Sequence, residues 1–237
     1  MASTFALPRC ETSLKRTALR AVDLRGPAGR LEALLNEGAS DAPAAALLCH
    51  PHPLGGGTLH NRVVYHAAKV MNAPEWGLCW PVLRFNFRGT GRSEGRHDGS
   101  AEVADVTAAL DWLNSEYGLP IVIAGFSFGA AMALAASCGT ASSGDRADLC
   151  ALAALGLPIQ GFGHTYSYPF LSRCALPKLF LSGDRDCFAP NQQLQQVIET
   201  AAHPRKLVLV PGADHFFTGC LSPMQKALAT WLKEQFQ

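Results

Sequence analysis

The stretch IVIAGFSFGA, residues 121–130, holds one hydroxyl, Ser127, between two phenylalanines and two glycines. Branched apolar residues lead into it and small apolar residues follow to Ala136, so a strand stops and a helix starts at the serine. Glycines two residues before and two after let neighbouring backbone pass close to a crowded turn, and the hydroxyl then projects above the sheet. The helix N-terminus adds backbone N–H groups and a positive dipole end; the N–H of Phe128 is the first of these donors. Such a seat suits a nucleophile, but a serine hydroxyl needs a base. Of the eight histidines, His215 in LVLVPGADHFF lies just past the carboxyl end of the last strand and before the last helix. His50 and His52 also follow a strand, but early in the chain; His60, His66, His97, His164 and His203 lack that context. The base in turn needs a carboxylate to orient it. FLSGDRDCFAP supplies Asp184 and Asp186, both between Ser127 and His215 in chain order, and spacing does not choose between them. The other aspartate is expected to hold its loop by accepting backbone N–H groups; Asp214, beside the base, is a third and weaker candidate and is expected to face a loop.

A developing oxyanion needs a second donor, expected from CHPHPLGGGT after the first buried strand. Pro51 and Pro53 have no N–H, which leaves His52, with Leu54 as the fallback. The glycine-rich RFNFRGTGRSEG tempts a phosphate reading. Neither a Gly-Lys-Ser/Thr nor a Gly-x-Gly-x-x-Gly opens a helix there, so it reads as a turn whose Arg88 or Arg92 braces nearby loops.

These residues need a frame to bring them together. After Pro43, AAALLC is a continuous apolar run, as in a strand covered on both faces. PVLRFNF, IVIAGF, LCALAALGLPI, KLFLSG and KLVLV repeat that signal. Helical stretches fall at 61–71, 101–117, 130–137, 191–202 and 223–235, the last with Ser222 as cap, Pro223 in first position and Gln225 completing a capping box. The alternation predicts an α/β fold: a mostly parallel central sheet, helices on both faces, and function at the carboxyl ends of the strands. Two alternating stretches at 17–24 and 30–36, around Gly26–Gly29, predict an N-terminal antiparallel hairpin. Residues 137–146 read as a flexible polar loop.

A length of 237 residues fits one domain over 1–237, with 1–15 expected to be disordered. The net charge is +1 without a basic stripe, which argues against nucleic acid or an anionic membrane surface as partner. No apolar run approaches the roughly 20 residues of a membrane span. The eight cysteines are scattered, with neither Cys-x-x-Cys nor Cys/His metal spacing, and predict reduced thiols in the cytoplasm. The Arg/Ser/Thr-rich start leaves organelle targeting as a second address.

Taken together, these residues resemble the α/β-hydrolase superfamily from about Ala44 to Trp231. More narrowly, HPHPLGGGTLHN, LRFNFRGTGRSEG and AGFSFGA resemble a group of small bacterial and plant-type α/β hydrolases related to dienelactone-hydrolase-like and serine-aminopeptidase-like domains. The resemblance implies Ser127 as nucleophile and His215 as base. Its Gly-x-x-Asp after the acid-bearing strand matches Gly183-Asp184-Arg185-Asp186 and points to Asp186. Its oxyanion loop, usually His-Gly-x, is here His50-Pro51-His52, which leaves His52 in the donor slot beside Phe128. Where many members insert a lid, only Gln160 to Ala175 is available. A minimal lid and an open cleft follow, with Phe162, Tyr166 and Tyr168 lining one side and Phe126 also expected to meet substrate. The implied activity is a serine hydrolase that cleaves a small-molecule carboxylic ester through an acyl-enzyme on Ser127, with no metal or organic cofactor. A homodimer is compatible with it. A peptidase or acyltransferase on the same triad, or a non-catalytic binding protein on the fold, are the alternatives.

Overall fold

The computed structural model describes residues 18–139, 146 and 148–236. Strands β1 (Leu19–Gly26) and β2 (Gly29–Asn36) pair antiparallel from Leu19↔Asn36 to Gly26↔Gly29, joined by Pro27-Ala28. There follow β3 (Ala45–Cys49), α1 (Arg62–Asn72), β4 (Val82–Phe85), α2 (Glu102–Tyr117), β5 (Ile121–Phe126), α3 (Phe128–Cys138) and β6 (Leu149–Leu155). A short hairpin of β7 (Gln160–Gly161) and β8 (His164–Thr165) comes next. The chain ends with β9 (Lys178–Gly183), α4 (Asn191–Thr200), β10 (Arg205–Val210) and α5 (Leu221–Gln235).

Eight strands form one sheet in the order β1-β2-β4-β3-β5-β6-β9-β10. β2 meets β4 antiparallel, and every pair from β4 onward is parallel. Side chains alternate between faces along each strand. Leu47, Ile121 and Ile123 point into one layer with α2, α3 and α4; Leu48, Val122 and Ala124 point into the other with α1 and α5. Every residue of β3, β4, β5 and β9 is buried, which explains their unbroken apolar reading. From β3 the chain steps to β4 on one side, then returns past β3 to β5 on the other. The direction of winding therefore reverses between β3 and β5, the point beyond whose strand ends open sheets of this kind bind ligands.

Three expectations need correction. The last helix starts at Leu221 with Cys220 before it, and Ser222 does not cap it. Pro223 sits inside the first turn, where no helical N–H is lost, and Gln225 Nε2 donates to the carbonyl of His66 at 3.2 Å instead of closing a capping box. Ser137 and Cys138 continue α3 rather than opening a loop, because α3 packs along its length against β5 and β6. The thiols are not all reduced: Cys138 and Cys174 form a disulfide with Cα atoms 5.3 Å apart, since the segment after the hairpin returns to the end of α3. The terminus expected to be disordered, and most of the expected 137–146 loop, lie outside the described residues. No helix among the described residues is long and apolar enough to cross a membrane.

Candidate active site

Ser127 sits between β5 and α3 at φ 55° and ψ −122°, a conformation rare for any residue with a Cβ. The flanking glycines permit it. A Cβ on Gly125 would lie 2.3 Å from the carbonyl oxygen of Gly129, and one on Gly129 would lie 2.4 Å from that of Cys49. The start of α3 is thereby pressed against the end of β3, which brings the loop 50–57 beside the serine.

His215 follows β10, and its Nε2 lies 2.9 Å from Ser127 Oγ. Its Nδ1 lies 2.8 Å from Asp186 Oδ2. That carboxyl accepts three further bonds: Oδ2 from Ser182 Oγ at 3.1 Å, and Oδ1 from the N–H groups of Phe188 at 2.9 Å and Ala189 at 3.2 Å. With Asp186 as acceptor, His215 Nδ1 carries the proton and Nε2 presents a lone pair to the serine hydroxyl. All three residues are buried, Ser127 at 8% exposure and the other two at 4%. Rings enclose the imidazole: Phe126 at 5.1 Å, Phe188 at 4.5 Å and Phe216 at 5.2 Å between centroids. Asp184 is exposed and accepts the N–H of Gly212 at 2.7 Å, and Asp214 accepts those of Phe216 and Thr218. Both serve their loops.

His52 precedes a single 3₁₀ turn, Pro53–Gly55, and its Nδ1 accepts the N–H of Leu54 at 3.2 Å. The Leu54 N–H is thus already engaged. Among the described residues, those of His52 and Phe128 have no backbone acceptor. The loop is anchored from beneath by His50, which is fully buried. Its Nδ1 donates to the carbonyl of Pro51 at 2.7 Å and its Nε2 accepts the N–H of Phe87 at 3.0 Å. Burial pushes the His50 imidazole down to about 4, so it is neutral near pH 7. His52 is also lowered, chiefly by burial and then by neighbouring His97. The glycine-rich turn after β4 is braced by Arg88, whose guanidinium meets buried Asp105 at 2.6–3.1 Å. The brace through Arg92 is its backbone N–H, donated to Glu32 at 2.8 Å.

The structure divides the residues expected to touch substrate. Phe162, at the tip of the β7–β8 hairpin, is 57% exposed and stacks on His52 with centroids 4.3 Å apart. It leans across to the loop 50–57, and this short hairpin stands where a lid would be inserted. Phe126 has no exposed surface and forms the floor under His215, because a strand covered on both faces leaves no outward side. Tyr166 packs against the core and on Tyr168, and Tyr168 is buried with its hydroxyl donated to the Pro158 carbonyl at 2.6 Å. Neither tyrosine contacts the serine–histidine pair. Sequence reasoning missed Ser182, Phe188 and Gly156. Ser182 lies one residue before the glycine of the acid turn, a position that was legible. Gly156, at φ 53°, ends β6 facing His215, and a Cβ there would lie 3.3 Å from the imidazole. Among the described residues no group of three or more His, Cys, Asp or Glu could hold a metal ion.

A parallel sheet with a strained serine at a strand-to-helix turn, a histidine beyond the last strand and an acidic loop between them defines the α/β-hydrolase class. The chain belongs to the alpha/beta hydrolase domain family, whose model matches residues 45–231. It is 34% identical over 215 residues to an uncharacterized protein of Rickettsia prowazekii, covering 87% of this chain and 86% of that one. Among solved structures it is similar to an alpha-beta serine hydrolase homologue from Coxiella burnetii, with a TM-score of 0.78, 31% identity, and 93% of this chain and 100% of that one covered. It is also similar to a serine hydrolase without lid from Xanthomonas campestris, with a TM-score of 0.76, 29% identity, and 94% and 97% covered.

Proposed function

We propose that the chain is a serine hydrolase that cleaves carboxylic esters through an acyl-enzyme on Ser127. The observation that carries this reading is the hydrogen-bonded series from Asp186 through His215 to Ser127, at 2.8 Å and 2.9 Å. In this mechanism His215 Nε2 takes the proton of Ser127 Oγ as the oxygen attacks the carbonyl carbon. Asp186 holds the imidazole in the required tautomer and offsets the charge it gains. The N–H groups of Phe128 and His52 receive the oxyanion; losing one such donor typically raises the barrier by about 3 kcal/mol. His215 then returns the proton to the leaving alkoxide, and water releases the acyl group by the reverse sequence. No step requires a metal or an organic cofactor. The Coxiella and Xanthomonas proteins, described as serine hydrolases or a homologue of one, support the class.

The test is a fluorophosphonate probe followed by a panel of chromogenic esters and aminoacyl anilides. The native protein is expected to label on Ser127 and to turn over esters, and Ser127→Ala to do neither. Equal labelling of native and variant proteins would remove the reading in favour of a binding role. Anilide turnover matching ester turnover would shift it to a peptidase.

A further inference from the structure

A second imidazole–carboxyl pair lies on the oxyanion side of Ser127, and the hydrolytic steps do not use it. Glu102, in the first turn of α2, is fully buried. Its Oε1 accepts the N–H of Asp98 at 3.1 Å and its Oε2 that of Gly99 at 3.0 Å. The carboxyl is therefore an acceptor, and His97 Nδ1, 2.7 Å from Oε1, is the donor. In the neutral ring of His97 the proton therefore sits on Nδ1 and the lone pair on Nε2. That nitrogen has no partner among the described residues, and the side chain keeps 12% exposure. His52 has the opposite polarity. Its Nδ1 accepts the Leu54 N–H, so the proton of the neutral ring sits on Nε2. The two rings stand edge-on with centroids 4.8 Å apart, and both pack on Phe128, the residue after the nucleophile, at 4.9 Å and 5.5 Å. No hydrogen bond joins them.

One fixed donor and one fixed acceptor side by side complement a group that both accepts and donates through a single oxygen. An oxygen held by two hydrogen bonds of about 2.9 Å bridges nitrogens up to about 6 Å apart, a span comparable with the 4.8 Å between these ring centroids. We propose that His52 and His97 form a subsite for a hydroxyl group, and that the substrate is an ester bearing a hydroxyl near its scissile carbonyl. The hydroxyl accepts from His52 Nε2–H and donates to His97 Nε2. A hydrogen, a methoxy group or a ketone in its place leaves one or both nitrogens unpaired. The inference rests on the hydrolase reading, because it places the hydroxyl against the carbonyl that Ser127 attacks.

The experiment compares kcat/KM for matched esters with hydroxyl, hydrogen or methoxy at the same carbon, one series varied in the acyl part and one in the alcohol part. Native protein is expected to favour the hydroxyl ester over the deoxy ester by about ten- to hundredfold in one of the series, which says where the hydroxyl resides. His97→Phe keeps a ring against Phe128 and is expected to abolish that preference while deoxy turnover stays within a few fold. Glu102→Gln sets an amide N–H against the N–H of Asp98 or of Gly99, so the side chain no longer holds the His97 proton firmly on Nδ1. The preference for hydroxyl over methoxy is then expected to fall severalfold, whereas loosened packing alone would lower turnover of all the esters alike. Fluorophosphonate labelling of all three proteins separates this claim from the hydrolase reading. Normal labelling with equal kcat/KM for hydroxyl and deoxy esters, or a preference that survives His97→Phe, overturns the subsite alone. Absence of labelling in the native protein removes both.

Discussion

The loop that carries His52 hangs on a histidine that must stay neutral, and this makes the fold sensitive to mild acid. His50 uses both ring nitrogens internally, one as donor to Pro51 and one as acceptor from the Phe87 N–H. Protonation would set two N–H groups against each other at 3.0 Å in a site closed to water. The folded imidazole is pushed from 6.5 down to about 4. The unfolded chain binds its proton as pH falls through about 6.5, whereas the folded chain waits until about 4. Between those values the unfolded state holds more protons, so stability falls as pH falls. The contribution is complete above about 6.5 and gone by about 4. At about 1.4 kcal/mol per pH unit it amounts to about 3 kcal/mol, a large part of a typical domain's stability. Urea unfolding at pH 7, 6, 5 and 4 measures the total loss, to which carboxylates also contribute. The same series on His50→Gln isolates the imidazole: the variant starts less stable, and its deficit should shrink by about 3 kcal/mol between pH 7 and 4. An imidazole C–H resonance of His50 that titrates near 6.5 in the folded protein, or a deficit that stays constant with pH, would refute the reasoning.

Other substitutions separate site from scaffold. Asp186→Asn should lower kcat by about 10³- to 10⁴-fold with the fold retained, because an amide favours the wrong histidine tautomer. Asp184→Ala should cost about 1 kcal/mol of stability and leave kcat within a few fold; the opposite ranking in steady-state assays would reverse the two roles. Gly129→Ala pushes a methyl group against the backbone oxygens of Cys49 and His50, so a loss of about 1–3 kcal/mol and a larger fall in activity are expected; native melting and turnover would count against the clamp. Reducing Cys138–Cys174, which are 36 residues apart, should lower stability by about 3–5 kcal/mol in urea unfolding with and without a phosphine reductant, and equal midpoints would deny the bridge its role.

The parts of the fold that the sequence made legible are those in which local pattern and tertiary environment agree. Strands such as IVIAGF and KLFLSG are buried on both faces, so their continuous apolar runs match their surroundings. The sheet's carboxyl edge and the loops bearing Ser127, Asp186 and His215 follow from chain order alone. What stayed hidden depended on packing between distant segments. Gln225 fits a capping box, yet a carbonyl of α1 offers it a better partner. Phe126 reads as a residue beside the nucleophile, but strand alternation sends its ring beneath His215. Cys138 and Cys174 carry no spacing signal, because a hairpin and a 3₁₀ segment bring them together. His97 lacked a strand-end context, and its link to Glu102 arises only once the loop after β4 folds over the start of α2.

The site is made of two halves held by different means. Ser127, the Phe128 N–H and the His52 loop form one unit, because β3 and β5 are hydrogen-bonded neighbours and Gly129 lets α3 rest on the end of β3. His215 and Asp186 form the other, on adjacent β9 and β10. Strand β6 alone separates them in the sheet, and the Ser127–His215 hydrogen bond joins them across it. Above that bond runs a second connection made of rings: His97 to His52 at 4.8 Å, His52 to Phe162 at 4.3 Å, Phe162 to Phe188 at 6.5 Å and Phe188 to His215 at 4.5 Å. Phe162 is its central member and comes from the hairpin after β6, the strand that lies between the halves. Short as it is, the hairpin carries one ring to a position between the Ser127 half and the His215 half of the candidate site.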